Sequence, residues 1–336
     1  MLNHKPAVAV IIPVHNGGEK FKHCLASLAQ ADPAPLEVIV VVDGGTEDSR
    51  RVAEAAGAVV VTTTVQSGPA RARNLGARAA RGDLLFFIDA DVVMAPNAIA
   101  QVGAAFEQDS SLAALIGSYD DAPAETNFLS QYRNLFHHYV HQTGNADAST
   151  FWGACGAMRR EIFIKMGGFN ENYRQPCIED IELGYRLKKE GHRIRLLKTL
   201  QVKHLKKWEV ISMLKTDFFQ RALPWTELIL RDRQFVNDLN LKAANRISVA
   251  SVYALLGAST VAWWWPRLTS IAGFLVLLLV ILNAPVYRFF WRQRGLWFAL
   301  RTIPWHWLYY LYSGLAFVVG GIRYWLCGRR SVPGAE

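Results

Sequence analysis

Two periods alternate along the first ninety residues. "AVAVIIPV" (7–14) is a short β-branched run, and "EKFKHCLASLAQ" (19–30) follows with apolar residues at helical spacing, Phe21, Leu25 and Leu28. "LEVIVVVD" (36–43) predicts a second strand, and "SRRVAEAAG" (49–57) a second helix closed by Gly57. "AVVVTT" (58–63) predicts a third strand and "GPARARNLGARAARG" (68–82) a helix bounded by glycines. Strands alternating with helices at this interval predict βαβ units and a mainly parallel sheet with both faces covered. Ligands of such sheets bind outside the carboxyl ends of the strands. The next run, "LLFFIDADVV" (84–93), is apolar for five residues and then carries Asp89 and Asp91. Burying unpaired carboxylates costs several kcal/mol or more, so the rim of the sheet is where they belong. Asp43 ends the second strand in the same way.

Beyond residue 245 the pattern changes. Residues 247–265 and 268–287 contain no charged residue, and 302–322 contain only His306 as an ionisable group of note. Each approaches the roughly 20 residues that cross a hydrocarbon core, which predicts two to three membrane spans, with buried core helices as the alternative. Pro266 and Arg267 alone separate the first two, suggesting a helical hairpin, and Pro304 makes the third a candidate re-entrant or tilted segment. "DFFQRALPWTEL" (217–228) reads as an amphipathic segment at the membrane surface.

Charge sharpens this picture. Residues 246–336 hold nine arginines, no lysine and one acid, Glu336, so they carry +8 of the chain's +9. Eight of the eleven tryptophans lie there too. Basic and Trp residues punctuating apolar stretches mark membrane boundaries and argue against a nucleic-acid partner. Arg288, Arg292, Arg294 and Arg301 predict a positive cytoplasmic loop, with residues 1–245 on the same side. Three crossings would place Arg329 and Arg330 outside, against that tendency. No signal peptide is expected, because the first residues are broken by Pro6 and Pro13 and read as a strand. Cys24, Cys155, Cys177 and Cys327 lack metal-ligand spacing and are expected as reduced thiols.

Five segments carry a family resemblance: "VIIPVHNGGEKFKHCLASL", "VIVVVDGGTEDS", "GPARARNLGARAARGDLLFFIDAD", "FWGACGAMRREIFIKMGGFNE" and "IEDIELGYRLKKEGHRI". In order and spacing they resemble family 2 glycosyltransferases of the GT-A fold, over about residues 7–226. The resemblance implies an α/β, Rossmann-like mixed sheet, inverting sugar transfer from a nucleotide diphosphate donor, and Mg²⁺ or Mn²⁺. Such hard cations prefer oxygen donors and offset leaving-group charge as Lewis acids.

By that resemblance Asp91 holds the metal and Asp89 lies near the ribose or the metal. Asp43 contacts the nucleobase, although Gly44 stands where an acid is usual, and an isolated "DGG" is more often a turn. Pro13, Val14 and Asn16 line the base and ribose. Arg73, with Arg71 as the weaker candidate, approaches the phosphates; alone, both read as solvated helix charges. "WGACGAM" (152–158) lines the donor-sugar and acceptor site, and lacks the lysine of a Walker phosphate loop. His204 is an additional metal or phosphate contact, or a structural histidine. His137, His138 and His141 read as one helix face. Glu179 and Asp180 cannot both aim at one point, and the family pattern selects Asp180 as general base. The alternative for this acidic cluster is helix capping.

These readings predict a GT-A domain over 1–240, cytoplasmic, and a membrane region over 241–330. The expected activity is transfer of a single sugar to a membrane-associated acceptor, with a lipid-linked one as the natural hypothesis, by a multi-pass cell-membrane enzyme. A processive polysaccharide synthase is disfavoured, because Gln220, Arg221 and Trp225 have the wrong spacing for its Gln-x-x-Arg-Trp element. A dinucleotide oxidoreductase would need Gly-x-Gly-x-x-Gly after the first strand, where "PVHNGGE" stands. A non-catalytic membrane scaffold is opposed by the intact Asp89, Asp91 and Asp180.

Overall fold

The computed structural model describes residues 5–233 and 236–326. Cys327, Arg329 and Arg330 lie outside the described residues. The chain divides into two compact units at Glu209/Val210, so residues 210–240 fall in the second unit.

The N-terminal unit is built on an eight-stranded sheet in the order β3-β2-β1-β4-β7-β6-β8-β5. β1 (Val8–Val14), β2 (Glu37–Asp43), β3 (Val59–Thr63) and β4 (Leu84–Ile88) are the four runs predicted from apolar patterning. They pair in parallel, and α1 (Gly18–Ala29), α2 (Glu47–Ala55) and α3 (Pro69–Ala79) connect them. All five side chains of β4 are buried, which is why its run has no polar residue before Asp89. The central strands, covered on both faces, hold the main core.

The other half of the sheet is mixed. After β4 come β5 (Val92–Met94), α4 (Ala98–Gln108), β6 (Leu112–Tyr119), α5 (Phe128–Gln142) and β7 (Cys155–Arg159). Then follow α6 (Arg160–Lys165), α7 (Glu179–Lys189) and β8 (Arg193–His204). β7 lies antiparallel to both β4 and β6, β8 is parallel to β6, and β5 is antiparallel to β8. The Val92↔His204 pairing brings the segment after Asp91 against the end of β8. Cys24, Cys155 and Cys177 are free thiols.

The C-terminal unit is helical. α8 (Val210–Lys215) runs through a π-helical turn (Thr216–Ala222) into α9 (Leu223–Asp232). A short 3₁₀ turn precedes α10 (Ala243–Val261), α11 (Leu268–Leu282), α12 (Ala284–Arg294) and α13 (Leu296–Leu326). The segment read as a surface amphipath packs its inner face on α13. Tyr312 Oη donates to Asp217 Oδ2 at 2.6 Å, Arg323 lies 3.3 Å from Glu227, and Phe219 stays exposed.

Three expectations for this unit are revised. The stretch 268–287 is not one continuous helix: it breaks at Asn283, and α11 and α12 are bent by 60°. Pro285 has no N–H to continue the ladder, and Asn283 is held by Ser248 Oγ (3.1 Å) and by the Tyr310 hydroxyl (2.6 Å). The arginine-rich loop is itself helical: Arg288, Arg292 and Arg294 lie on α12 and Arg301 on α13, joined at Gly295 with φ +84°. Pro304 sits inside α13 and starts no segment. Among the described residues no single helix is long and apolar enough to cross a membrane; the bent α11–α12 pair meets that test jointly.

Candidate active site

One buried arginine joins the acid just past the end of β4 to the acid that opens α7. Arg73, on the inner face of α3, donates through Nη2 to Asp89 Oδ1 (2.7 Å) and through Nη1 to Glu179 Oε1 (2.8 Å). Its guanidinium is buried, stacks 5.5 Å from the Phe169 ring, and leaves Nε without an acceptor. Burial opposes its charge, but the carboxylates of Asp89, Glu179 and Asp180 outweigh this and push its pKa up. Arg71 points the other way on the same helix. It is exposed and lies 3.9 Å from Glu171.

Glu179 and Asp180 open α7 and divide the work that their adjacency implies. Glu179 is buried, with Oε2 accepting from Cys177 N (3.0 Å). Asp180 is half-buried: Oδ2 accepts from Gly153 N (3.0 Å) and Oδ1 from Ile181 N (2.8 Å). Glycine at 153 lets the backbone pass close to the guanidinium, since a Cβ there would stand 3.0 Å from Arg73 Cζ, tighter than ordinary contact. The "WGACGAM" segment thus delivers a backbone donor to Asp180 while passing over Arg73.

Asp91 faces His204. Its Oδ2 lies 3.4 Å from His204 Nε2, and Leu205 N donates to Asp91 O at 2.8 Å. His204 is buried, stacked parallel on Tyr119 at 4.5 Å, with Nδ1 3.0 Å from Asn134 Oδ1. With Nδ1 turned to Asn134, Nε2 is the ring nitrogen that faces Asp91. Burial opposes the charge of Asp91, but His204, Lys206 and Lys20 outweigh it and hold the carboxyl below the usual range. One carboxylate and one metal-competent imidazole nitrogen suit a divalent cation such as Mn²⁺. Among the described residues no group of three or more His, Cys, Asp or Glu could hold a metal, so further donors would come from the ligand.

The ends of β1 and β2 form the other wall. Asp43 Oδ1 accepts from Thr63 Oγ1 (2.8 Å) and Ser67 Oγ (2.5 Å), and Oδ2 from Gly68 N (2.8 Å). Burial raises the cost of its charge, yet these donors outweigh it and lower its pKa. Asn16 adopts φ +54° and accepts from Thr46 N at 3.1 Å, while His15 Nδ1 lies 2.8 Å from Asp43 O. Val14 is buried and Pro13 half-buried just before them. Gly44 has φ +60°, and a Cβ there would strike the Gln66 backbone. This explains why glycine, not an acid, stands at that position.

His138 and His141 are anchored to the Tyr119 and Gly117 carbonyls at 2.7 and 3.0 Å, and His137 packs on Trp152, a helix face as expected. Sequence reasoning missed Ser67, Thr63 and Asn134. Asn134 had a usable signal: with His138 and His141 it forms a polar i, i+4, i+7 stripe, and a buried polar stripe needs partners.

Residues 9–167 match the model of glycosyl transferase family 2, and residues 133–209 that of the N-terminal domain of galactosyltransferase. A validoxylamine A glucosyltransferase of Streptomyces hygroscopicus subsp. limoneus is 28% identical over 223 residues, 56% of this chain and 49% of that protein. The 4,4'-diaponeurosporenoate glycosyltransferase of Staphylococcus aureus (strain USA300) is 37% identical over 95 residues, 27% of this chain and 25% of that one. The chain thus spans about half the length, or less, of these two relatives. The mannosyltransferase PcManGT of Pyrobaculum calidifontis, solved with GDP-Man and Mn²⁺, shares the fold with a TM-score of 0.53 at 18% identity, covering 94% of this chain and 88% of that one.

Proposed function

We propose that this chain, whose residues 9–167 match glycosyl transferase family 2, is an inverting, metal-dependent glycosyltransferase that moves one sugar from a nucleotide diphosphate donor to a membrane-associated acceptor. One observation carries the reading: Arg73 and the Gly153 amide hold Asp89, Glu179 and Asp180 together at the strand ends where such sheets bind ligands.

In this reading the donor lies along the ends of β1 and β2. Pro13, Val14 and Asn16 form the nucleoside wall, and Asp43 fixes the Thr63–Gly68 loop beside it. Asp91 and His204 would hold Mg²⁺ or Mn²⁺, which when bound offsets the charge of the leaving diphosphate. Arg73 keeps Asp89 oriented and adds positive potential under the phosphates. Asp180 accepts the proton of the acceptor hydroxyl as that oxygen bonds the anomeric carbon. The carbon–oxygen bond to the diphosphate breaks on the opposite face, so configuration inverts. Both Asp180 oxygens are already fixed by backbone N–H groups, which leaves lone pairs in set directions for that proton.

The arginine- and tryptophan-rich C-terminal unit supports a membrane setting, with a lipid-linked acceptor and the catalytic unit on the cytoplasmic side. One relative is named as a glycosyltransferase of 4,4'-diaponeurosporenoate. The test is donor hydrolysis by the purified chain, nucleotide sugars being ranked first by thermal shift with Mn²⁺. Turnover that survives chelation, or no turnover with any nucleotide sugar, would overturn it. For topology, an Arg292→Cys variant should resist labelling from outside intact cells.

A further inference from the structure

The C-terminal unit contains a cavity of about 510 Å³ between α9, α10 and α13, within the size range of small-molecule sites. Its wall is apolar and aromatic, with Trp225, Val249, Tyr253, Tyr310 and Phe317 among the lining side chains. Arg246 is the single charged residue among those that line it. This arginine donates to the neutral Asn237 Oδ1 at 3.0 Å, and no carboxylate reaches it among the described residues. Arg246, Val249 and Tyr253 are spaced i, i+3 and i+7, so one face of α10 runs from the cation to the apolar wall. Asn245 to Tyr253 spans about 12 Å along the helix axis. Asn240 and Asn245 stand at the charged end, where the N-terminus of α10 adds its own positive potential.

We propose that this cavity binds an amphiphile with one apolar chain and an anionic head group, the chain lying along α10 and the head meeting Arg246. An apolar slot by itself would accept any hydrocarbon. The cation without a carboxylate at one end selects the anionic head, because a charge-assisted hydrogen bond is about twice as strong as a neutral one. The site needs nothing from the transfer chemistry, so it stands or falls separately from the donor-hydrolysis assay. A resident bilayer lipid and a lipid-linked acceptor share this chemistry.

The test is native mass spectrometry of the full-length protein released from a non-ionic detergent and titrated with farnesyl phosphate and with its neutral twin, farnesol. One equivalent of farnesyl phosphate should be retained, with about tenfold preference over farnesol. Arg246→Gln should erase that preference while leaving donor hydrolysis unchanged. Ala222→Trp, which fills the cavity from the π-helical turn, should abolish retention of both probes. Competition by dioleoyl phosphatidylglycerol identifies a bilayer lipid as the natural occupant, and its failure to compete an isoprenyl-phosphate type of acceptor; either supports the site. Equal retention of the two probes, or a preference that survives Arg246→Gln, overturns the proposal. If Ala222→Trp does not fold, the Arg246→Gln comparison alone decides.

Discussion

Glu179→Gln tests whether the acid beside Asp180 is a structural partner of Arg73. The Glu179 carboxylate is buried and uses both oxygens, one for Arg73 Nη1 at 2.8 Å and one for Cys177 N at 3.0 Å. Glutamine has the same shape but one acceptor oxygen. Its NH₂ must therefore face a donor, and a buried donor left without an acceptor costs about 1–3 kcal/mol. Deleting one member of a buried ion pair outright costs about 3–5 kcal/mol. Asp89 still holds Nη2, so the expected loss lies between, at about 2–4 kcal/mol. For a unit of this size each kcal/mol moves the melting point by about 2–4 °C, and a loss near 3 kcal/mol lowers it by about 6–12 °C. The assay is the thermal midpoint of the purified chain, followed by near-ultraviolet circular dichroism. Glu54→Gln, which removes only an exposed pair with Arg50, serves as the companion and should leave the midpoint in place. A Glu179→Gln midpoint within about 1 °C of the parent would refute the reasoning, because the cost then cannot include an unsatisfied buried donor.

Asp180→Asn should reduce transfer by about 10²–10⁴-fold with donor affinity nearly unchanged; a variant that mainly weakens donor binding would remove Asp180 from the role of base. Asp91→Asn should abolish both transfer and Mn²⁺-dependent thermal stabilisation without unfolding the chain, and near-normal turnover would sink the metal assignment. Asp43 has a lowered folded-state pKa, so its contribution to stability is present above the ordinary aspartate value of about 3.9 and is lost as pH falls through the lower folded value. Asp43→Asn should therefore be less stable than the parent at pH 6 and converge with it in acid melts below about pH 4; a constant difference across that range would contradict the assignment.

The parallel half of the sheet was legible in the sequence because its cause is local. A strand covered on both faces must be apolar at every position, and β1, β2 and β4 show this as uninterrupted runs that turn polar at the rim. Asp43, Asp89 and Asp91 could be placed at that rim from the cost of burying a carboxylate. The partners of these acids were not legible, because hydrogen bonds between distant residues leave no periodic trace. Arg73 meets Glu179 across 106 residues, and His204 meets Asn134 across 70. Two adjacent acids, Glu179 and Asp180, look alike as sequence; only the tertiary structure buries one against Arg73 and leaves the other half-open under the Gly153 amide. The same holds in the C-terminal unit. Composition by itself determined an apolar, arginine- and tryptophan-rich helical region, since hydropathy is additive along the chain. Where its helices end was decided in three dimensions, by Asn283 being claimed by Ser248 and Tyr310 and by Pro304 being carried inside α13.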